Sequence, residues 1–407
     1  MTASNPMPVR PANFSRRIDA AETSAVREIL KVTEKPEIIS FAGGLPAPEF
    51  FPKAQMAEAF SRAILENGEQ ALQYSTTEGY APLRQWIATR MQAKGIRAEA
   101  KNILITSGSQ QGLDLLAKVL LNSGDKILVE RPTYLAALQT FSLFEANFIT
   151  VASDDDGMDV DDAARKLRAH PDIKAIYLVA NFQNPSGTTL SLERRQRLMA
   201  LASQYGVRVF EDDPYGELRY RGEAIAPIKS LDEEGLVTYI STFSKTITPG
   251  LRVAWLVAEP KIYAKLSIAK QATDLHTNTV SQFAVHRYLT EHDADAHITK
   301  LRSVYGERCR VMLAALETHF PAGVRWTKPA GGMFLWVELP SHMNTAAMLP
   351  AAIQAKVAFV PGASFFANER PQNFMRLNFS NSTPERIAEG MRKLAEVIAQ
   401  SEQQRRA

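Results

Sequence analysis

Cysteine is nearly absent from this chain: Cys309 is the only one in 407 residues. One thiol cannot close an internal disulfide, so the fold must rest on its packed core, as suits a reducing compartment. Cys309 falls in a helical pattern, Tyr305–Leu316, with no histidine or second cysteine beside it, and reads as a structural thiol rather than a nucleophile. Long apolar runs are missing as well. No window approaches the roughly eighteen consecutive apolar residues that a membrane-crossing helix needs, and Met1–Glu22 has no apolar centre of a secretory signal. A cytoplasmic chain is the expectation. Nor is charge of one sign gathered anywhere: 47 Lys and Arg stand among 44 Asp and Glu, for a net +3. No basic face for nucleic acid follows from that balance, and Arg405–Arg406 reads as a solvated end. Repeats, low-complexity tracts and Cys/His clusters of metal-binding spacing are also lacking. What remains, 45% hydrophobic and 22% charged, is an ordinary globular composition in a chain long enough for more than one domain.

The first residues read as a loose arm, because Pro6, Pro8 and Pro11 block regular structure. A short helix is expected from Ala20 to about Val32, then a turn-rich stretch, Ile39–Pro52, suited to facing a ligand. From about residue 100, β-branched runs alternate with helical periodicity. The runs are Ile103–Ile105, Lys126–Val129, Ala175–Val179, Val207–Phe210, Val237–Ile240 and Val253–Val257; Gln111–Leu121, Leu135–Leu143 and Leu192–Tyr205 lie between them. This alternation predicts an α/β domain with a mostly parallel sheet. Beyond residue 260 the texture changes. Long helical patterns, Ile262–Leu289 and Ile298–Phe320, precede strands at Gly332–Glu338, Ala358–Val360 and Met375–Phe379. A last helix should start at Ser382 or Thr383, with Pro384 in its first turn, a Ser382–Glu385 capping box, and Ile387, Met391, Leu394 and Ile398 on one face. A smaller α+β domain is the expectation there.

Chemistry concentrates where predicted strands end. Ser241–Arg252 follows a buried-strand signal and sets Lys245 among hydroxyls, with Arg252 beyond. Ligands of open α/β sheets bind at such ends. Hydroxyls and a guanidinium suit a phosphate, and a lysine amine condenses with an aldehyde; a phosphorylated aldehyde satisfies both. A surface basic loop is the plainer alternative. Thr106–Leu113 is a Gly/Ser turn opening a helix, which offers free N–H groups to an anion, or simply an N-cap. Glu211-Asp212-Asp213-Pro214-Tyr215 puts acids and a phenol just past a strand, as a turn former or as a carboxylate for a pyridine nitrogen. Asn181–Thr188 reads as a tight turn or as a donor, Asn184, to the same ring. Arg376 lies on an apolar strand pattern, Phe374–Leu377, where a guanidinium is costly without an anion, either a structural acid or a substrate carboxylate.

Together these segments resemble the fold-type I pyridoxal-phosphate (PLP) enzymes, and within them the class I/II aminotransferases of the 2-aminoadipate and kynurenine aminotransferase branch. The matching pieces are Phe41–Pro46, Gln73–Ser75, Ser107–Gly112, Asn184–Gly187, Glu211–Tyr215, Ser244–Lys245 through Pro249–Arg252, and Met375–Ser380; the likeness spans nearly the whole chain from about Ser24. It implies a large seven-stranded-type, mostly parallel PLP-binding domain over 51–294. A small domain over 295–407 would be joined by part of the 1–50 arm. It further implies that Lys245 carries the cofactor covalently, Asp212 meets the pyridine nitrogen, and Tyr215 and Asn184 meet the 3-oxygen. Tyr134 would stack on the ring, while Ser109, Gln110, Thr242, Ser244 and Arg252 hold the phosphate. Tyr74 would reach the phosphate in the neighbouring subunit, making a homodimer. Arg376, with Asn184 and the Gly44 backbone, would hold the substrate carboxylate. Relatives often have Ser where this chain has Thr242, which keeps the hydroxyl.

The implied reaction moves an amino group between an L-amino acid (glutamate, 2-aminoadipate, aromatic or branched-chain) and a 2-oxo acid such as 2-oxoglutarate, with ping-pong kinetics. Competing readings are β-elimination or decarboxylation on the same fold, and a ligand-sensing domain of regulators, for which the stretch before Phe41 leaves no room for a DNA-binding module. Arg27 would meet a distal substrate carboxylate or is a surface arginine. Phe334 and Trp336 would line the entrance or belong to a core strand.

Overall fold

The computed structural model describes residues 14–19, 29 and 35–406. Its strands, in chain order, are β1 (Ile39–Ser40), β2 (Ile103–Thr106), β3 (Lys126–Arg131), β4 (Asn147–Asp154), β5 (Gly157–Met158), β6 (Ile173–Leu178), β7 (Arg208–Asp212), β8 (Val237–Thr242), β9 (Ala254–Val257), β10 (Arg325–Trp326), β11 (Phe334–Glu338), β12 (Val357–Ala358), β13 (Val360–Pro361) and β14 (Phe374–Asn378). The main helices are α1 (Lys53–Ala71), α2 (Ala81–Gln92), α3 (Ser109–Leu120), α4 (Leu135–Ser142), α5 (Val160–Ala169), α6 (Leu192–Tyr205), α7 (Pro260–Asp274), α8 (Thr279–Glu291), α9 (Ala294–His319), α10 (Thr345–Gln354) and α11 (Pro384–Arg406).

The large sheet has the order β2-β9-β8-β7-β6-β3-β4-β5. Strands β4, β3, β6, β7 and β8 pair in parallel, and β9 runs antiparallel to both β8 and β2. The expected seven strands are therefore present, and the two-residue β5 adds a hairpin at the β4 edge. The inner strands are apolar on both faces because helices cover both. Ile127, Val129, Tyr177 and Phe210 pack in a core with Leu113, Leu116 and Phe141 of α3 and α4. Leu128, Ile176, Leu178 and Val209 pack in another with Ala163, Leu167, Leu198 and Ala202 of α5 and α6. Unbroken β-branched runs are the signature of such doubly covered strands. The parallel arrangement brings the C-terminal ends of β2, β3, β6, β7 and β8 to one edge, where α3 and α4 begin.

A second, antiparallel sheet has the order β10-β11-β14-β13. Arg376 sits at its centre, opposite Trp336 on β11 and Val360 on β13. The expected face of α11 is buried at Ile387, Met391, Leu394 and Ile398. The stretch after β1 is stitched to this part of the molecule. Ile39 and Ser40 pair with Val357 and Ala358, and the Asn378 amide donates to Phe41 O at 2.8 Å. Gly43 and Gly44 are thereby carried from the small sheet to the edge of the large one.

Several expectations need correction. The Ile262–Leu289 pattern is two helices, broken where Leu275 takes φ +65° and Asn278 caps α8 by accepting from Ser281 N. The Ser382–Glu385 box does not form. Thr383 is the cap, its Oγ1 accepting from Arg386 N at 3.4 Å, so a box would need its acid at position 386. Ala358–Val360 is split between two sheets, as β12 and β13. Helices α1 and α2 and strand β4 were not among the elements expected. The helix expected over 20–32, with Arg27, lies outside the described residues except for buried Ile29.

Candidate active site

A cavity of about 490 Å³ opens at the strand-end edge. It gathers Gly44, Ser109, Gln110, Tyr134, Asn184, Asp212, Tyr215, Thr242, Ser244, Lys245, Arg252 and Arg376. Residues drawn from seven separate stretches of sequence thus meet where the strand ends of the large sheet face Gly44 and, from the small sheet, Arg376.

Lys245 follows β8 and donates from Nζ to Gly44 O at 2.9 Å. Burial and the charges of Arg376 and Arg252 bring its ammonium down to about 8, so a neutral amine is accessible near physiological pH. Asp212 ends β7. Its Oδ2 accepts from Tyr177 OH at 3.0 Å, while its Oδ1 is buried with no partner. Burial is the main cause that raises this carboxyl to about 7; the Tyr177 bond opposes the shift and neighbouring Asp213 adds to it. Its neighbours in the acidic run serve structure: Glu211 accepts from Ile228 N and Lys229 N, both at 2.8 Å, and Asp213 accepts from Tyr239 OH and Asn181.

Asn184, in the turn after β6 and bonded in cis to Pro185, joins two groups. Its Oδ1 accepts from Arg376 Nη1 at 2.9 Å, and its side chain also bonds the buried Tyr215 phenol. Arg376 Nη2 donates to Ala42 O at 2.7 Å, and its guanidinium lies over the rings of Phe334 and Phe365, at 4.4 and 5.1 Å from their centroids. Its Nε is buried without a partner, and none of the ion pairs among the described residues engages it. Burial pulls it down to about 10. Among the described residues the fold supplies no structural acid for this arginine, and a buried guanidinium with only neutral partners suits an incoming anion.

The opposite end is cationic and rich in donors. Arg252 adopts φ +53° and lies against Gly108, where an added Cβ would fall 2.0 Å from its Nη2. Gly108, at φ +88°, caps α3, so the N–H groups of Ser109 and Gln110 belong to a first helical turn that lacks partners one turn earlier. The Gln110 side chain is committed elsewhere, donating to Thr140 Oγ1 at 2.5 Å; only its backbone is free to serve an anion. Thr242 Oγ1 lies 2.9 Å from Ser244 Oγ and accepts the Ser244 amide at 3.1 Å. Burial raises the Tyr134 phenol to about 12, keeping it neutral.

Two expected residues are not brought here. Tyr74 is exposed and lies outside the cavity, its ring edge-on to His276 with centroids 6.0 Å apart. Arg27 lies outside the described residues. Phe334 lines the cavity, but Trp336 does not; it stacks on Phe374 at 5.4 Å. Tyr177 was missed. On the sequence it is one more apolar residue of a buried strand, and only the β6–β7 register, Tyr177 against Phe210, brings its hydroxyl to Asp212. A wider groove of about 850 Å³ lies alongside, past Pro132 and Ser186. Its cations Arg131, Arg325 and Lys328 are already paired with Glu369, Glu338 and Glu317, and it contains none of the reactive groups.

One buried acid oxygen waiting for a donor, one depressed lysine, and an anion cradle at the far end form a donor set that fits a phosphorylated pyridine aldehyde. The chain matches the family model described as Aminotransferase class I and II over residues 44–394. It is 47% identical to aromatic-amino-acid aminotransferase 1 of Thermococcus litoralis, over 95% of this chain and 94% of that one. Pyrococcus horikoshii kynurenine aminotransferase, solved with PMP, superposes at a TM-score of 0.91 with 45% identity, covering 95% and 97% of the two chains. The α-aminoadipate aminotransferase of Thermus thermophilus, solved with N-(5'-phosphopyridoxyl)-L-leucine, gives 0.89 and 40%, covering 95% and 97%. The protein belongs to the class I and II aminotransferases. Its fold is fold-type I, its cofactor is pyridoxal phosphate, and its reaction is transamination rather than elimination, decarboxylation or ligand sensing alone.

Proposed function

We propose that the enzyme moves the amino group between an L-amino acid of the glutamate, 2-aminoadipate, aromatic or branched-chain kind and a 2-oxo acid such as 2-oxoglutarate. The observation that carries the reading is Arg376, buried with neutral partners only and open to the Lys245 cavity. The names of the relatives, aromatic, kynurenine and aminoadipate aminotransferases, support the substrate range. So do the apolar walls, Leu135, Val179, Phe334 and Phe365.

When bound, pyridoxal phosphate supplies an aldehyde for the amino group and a protonated ring that draws electrons from the substrate Cα. Asp212 Oδ1 would hold the ring nitrogen's proton, Tyr215 and Asn184 would meet the 3-oxygen, and Tyr134 would cover the ring. Arg252, Thr242, Ser244 and the first-turn N–H groups of Ser109 and Gln110 would take the phosphate. Arg376 fixes the substrate α-carboxylate beside Asn184, and the Phe334 and Phe365 rings exclude water from that ion pair. Lys245 Nζ, once neutral, is the base that takes the Cα proton and later returns one. In this structure Gly44 O accepts from this amine at 2.9 Å.

We also propose a cytoplasmic homodimer in which Tyr74 enters the partner's site. The 79% exposed Tyr74, with Ile64, Leu65 and Leu72 exposed nearby on α1 and just after it, supports such an interface. Single amino acids added without an oxo acid test the substrate range. Loss of the cofactor's visible band and growth of the pyridoxamine band should be fastest for members of the proposed classes. Conversion confined to alanine or aspartate would refute it.

A further inference from the structure

Lys270 takes no part in the chemistry above, yet its side chain is completely buried on α7. A buried ammonium is costly unless every proton finds an acceptor. Here Nζ lies 2.8 and 3.0 Å from the Asp274 oxygens, 3.1 Å from Gln111 Oε1 and 3.1 Å from Thr277 Oγ1. The same partners converge on Ser107. The Ser107 amide donates to Gln111 Oε1 at 2.7 Å, and its hydroxyl donates to Asp274 Oδ2 at 3.0 Å. Gln111 Nε2 donates to that oxygen at 2.7 Å. The one polar atom of Ser107 left over, its carbonyl, faces Arg252 Nη2 at 3.5 Å. The next residue is Gly108, against whose Cα the Arg252 guanidinium rests.

We propose that Lys270 and Asp274 are positioning residues for the anion-binding end of the site: they fix Ser107, and through it aim Arg252 and the first turn of α3 at the cofactor phosphate. The inference rests on the assignment of the phosphate to Arg252 and the α3 N-terminus. A residue that only staples α7 to α3 would weaken the fold and lower every ligand's affinity alike. A residue that aims the cradle affects only ligands that carry the phosphate.

The test is the ratio of affinities for pyridoxal phosphate and pyridoxal, which lacks the phosphate. It is measured by absorbance titration of the full chain stripped of cofactor. Lys270→Met keeps the stem and removes the charge; Ser107→Ala removes one hydroxyl and decides the matter if Lys270→Met does not fold. Each should lower pyridoxal phosphate affinity about tenfold, leave pyridoxal affinity unchanged, and in combination do little more than either alone. Equal losses for both ligands, or no loss, overturn the proposal. Arg252→Ala serves as reference. If it collapses the ratio while Lys270→Met and Ser107→Ala do not, this inference alone falls. If Arg252→Ala leaves the ratio intact, the phosphate assignment falls and takes the inference with it.

Discussion

Arg376 and Asp212 are both fully buried, and each keeps one polar atom without a partner, Nε and Oδ1. A folded chain tolerates such atoms where a ligand completes them. Arg376→Lys removes the two-point hold on Asn184 and Ala42, and a point charge does not replace a planar fork. We expect kcat/KM to fall about 100-fold or more, chiefly through KM, while the cofactor band persists. Lys245, at about 8, should capture cofactor faster as pH rises, with a midpoint near that value rather than near ten; a stopped-flow pH series reads it. The carboxyls act on stability with the opposite slope. Asp212 is raised to about 7, Glu211 to about 7 and Glu130 to about 8, each first by burial. Between the ordinary carboxylate pKa and these values the native state holds protons that the unfolded chain has released. The cofactor-free protein should therefore lose stability as pH climbs from about 4 through about 8. Asp212→Asn should remove part of that slope, on the order of 1–3 kcal/mol, in urea titrations at either end of the range. That Lys245, Asp212 and Arg376 stand out was legible in sequence: Lys245 sits among hydroxyls past a strand, Asp212 just past another, and Arg376 on an apolar run. Tyr177 gave no such signal, since tyrosine is at home in a buried strand.

The α3 turn shows what one helix terminus contributes. Gly108 and Gly124 both have φ +88°, yet a Cβ at Gly124 meets nothing within 4 Å while one at Gly108 strikes Arg252. Alanine at either position should cost stability, about 1 kcal/mol from the left-handed backbone. Only Gly108→Ala should also weaken cofactor retention, which dialysis followed by absorbance measures. The inner strands of the large sheet were readable because doubly covered strands are continuous apolar runs, and their ends, rich in Gly, Ser and Asn, mark where chains turn; the half-exposed β4 gave no such run. The break at Leu275 was not readable: a leucine at positive φ violates local preference, and the buried Lys270–Asp274 cluster just before it is visible only in three dimensions. Helix α1 carries its buried face largely on alanines, Ala59, Ala63 and Ala71, which blur helical periodicity, whereas α2 buries Leu83, Ile87 and Met91 at ordinary helical spacing.

At the scale of the whole molecule, the site is assembled from both sheets. Arg376 comes from the small one, Lys245 and Asp212 from the large one, and Asn184 and Gly44 bridge them. Strand–helix alternation was enough to read the large sheet's class, but the order of its strands and the pairing of β1 with β12 depend on long-range contacts that no local pattern encodes. The proposed crossing of Tyr74 has its own test. Lys245→Ala and Tyr74→Ala proteins, each inactive or nearly so, are mixed under conditions that exchange subunits. Hybrid dimers then contain one intact site, and about a quarter of wild-type activity should return; no recovery from verified hybrids would contradict the crossing.

The assignment of Lys245 as the cofactor's lysine underlies every role given above, and borohydride reduction of the cofactor-loaded protein followed by peptide mapping addresses it without reference to any substrate. A single pyridoxyl group is expected, on Lys245, and none on the Lys245→Ala protein. A label on Lys270 or another lysine, or loading that leaves no reducible bond, would contradict it.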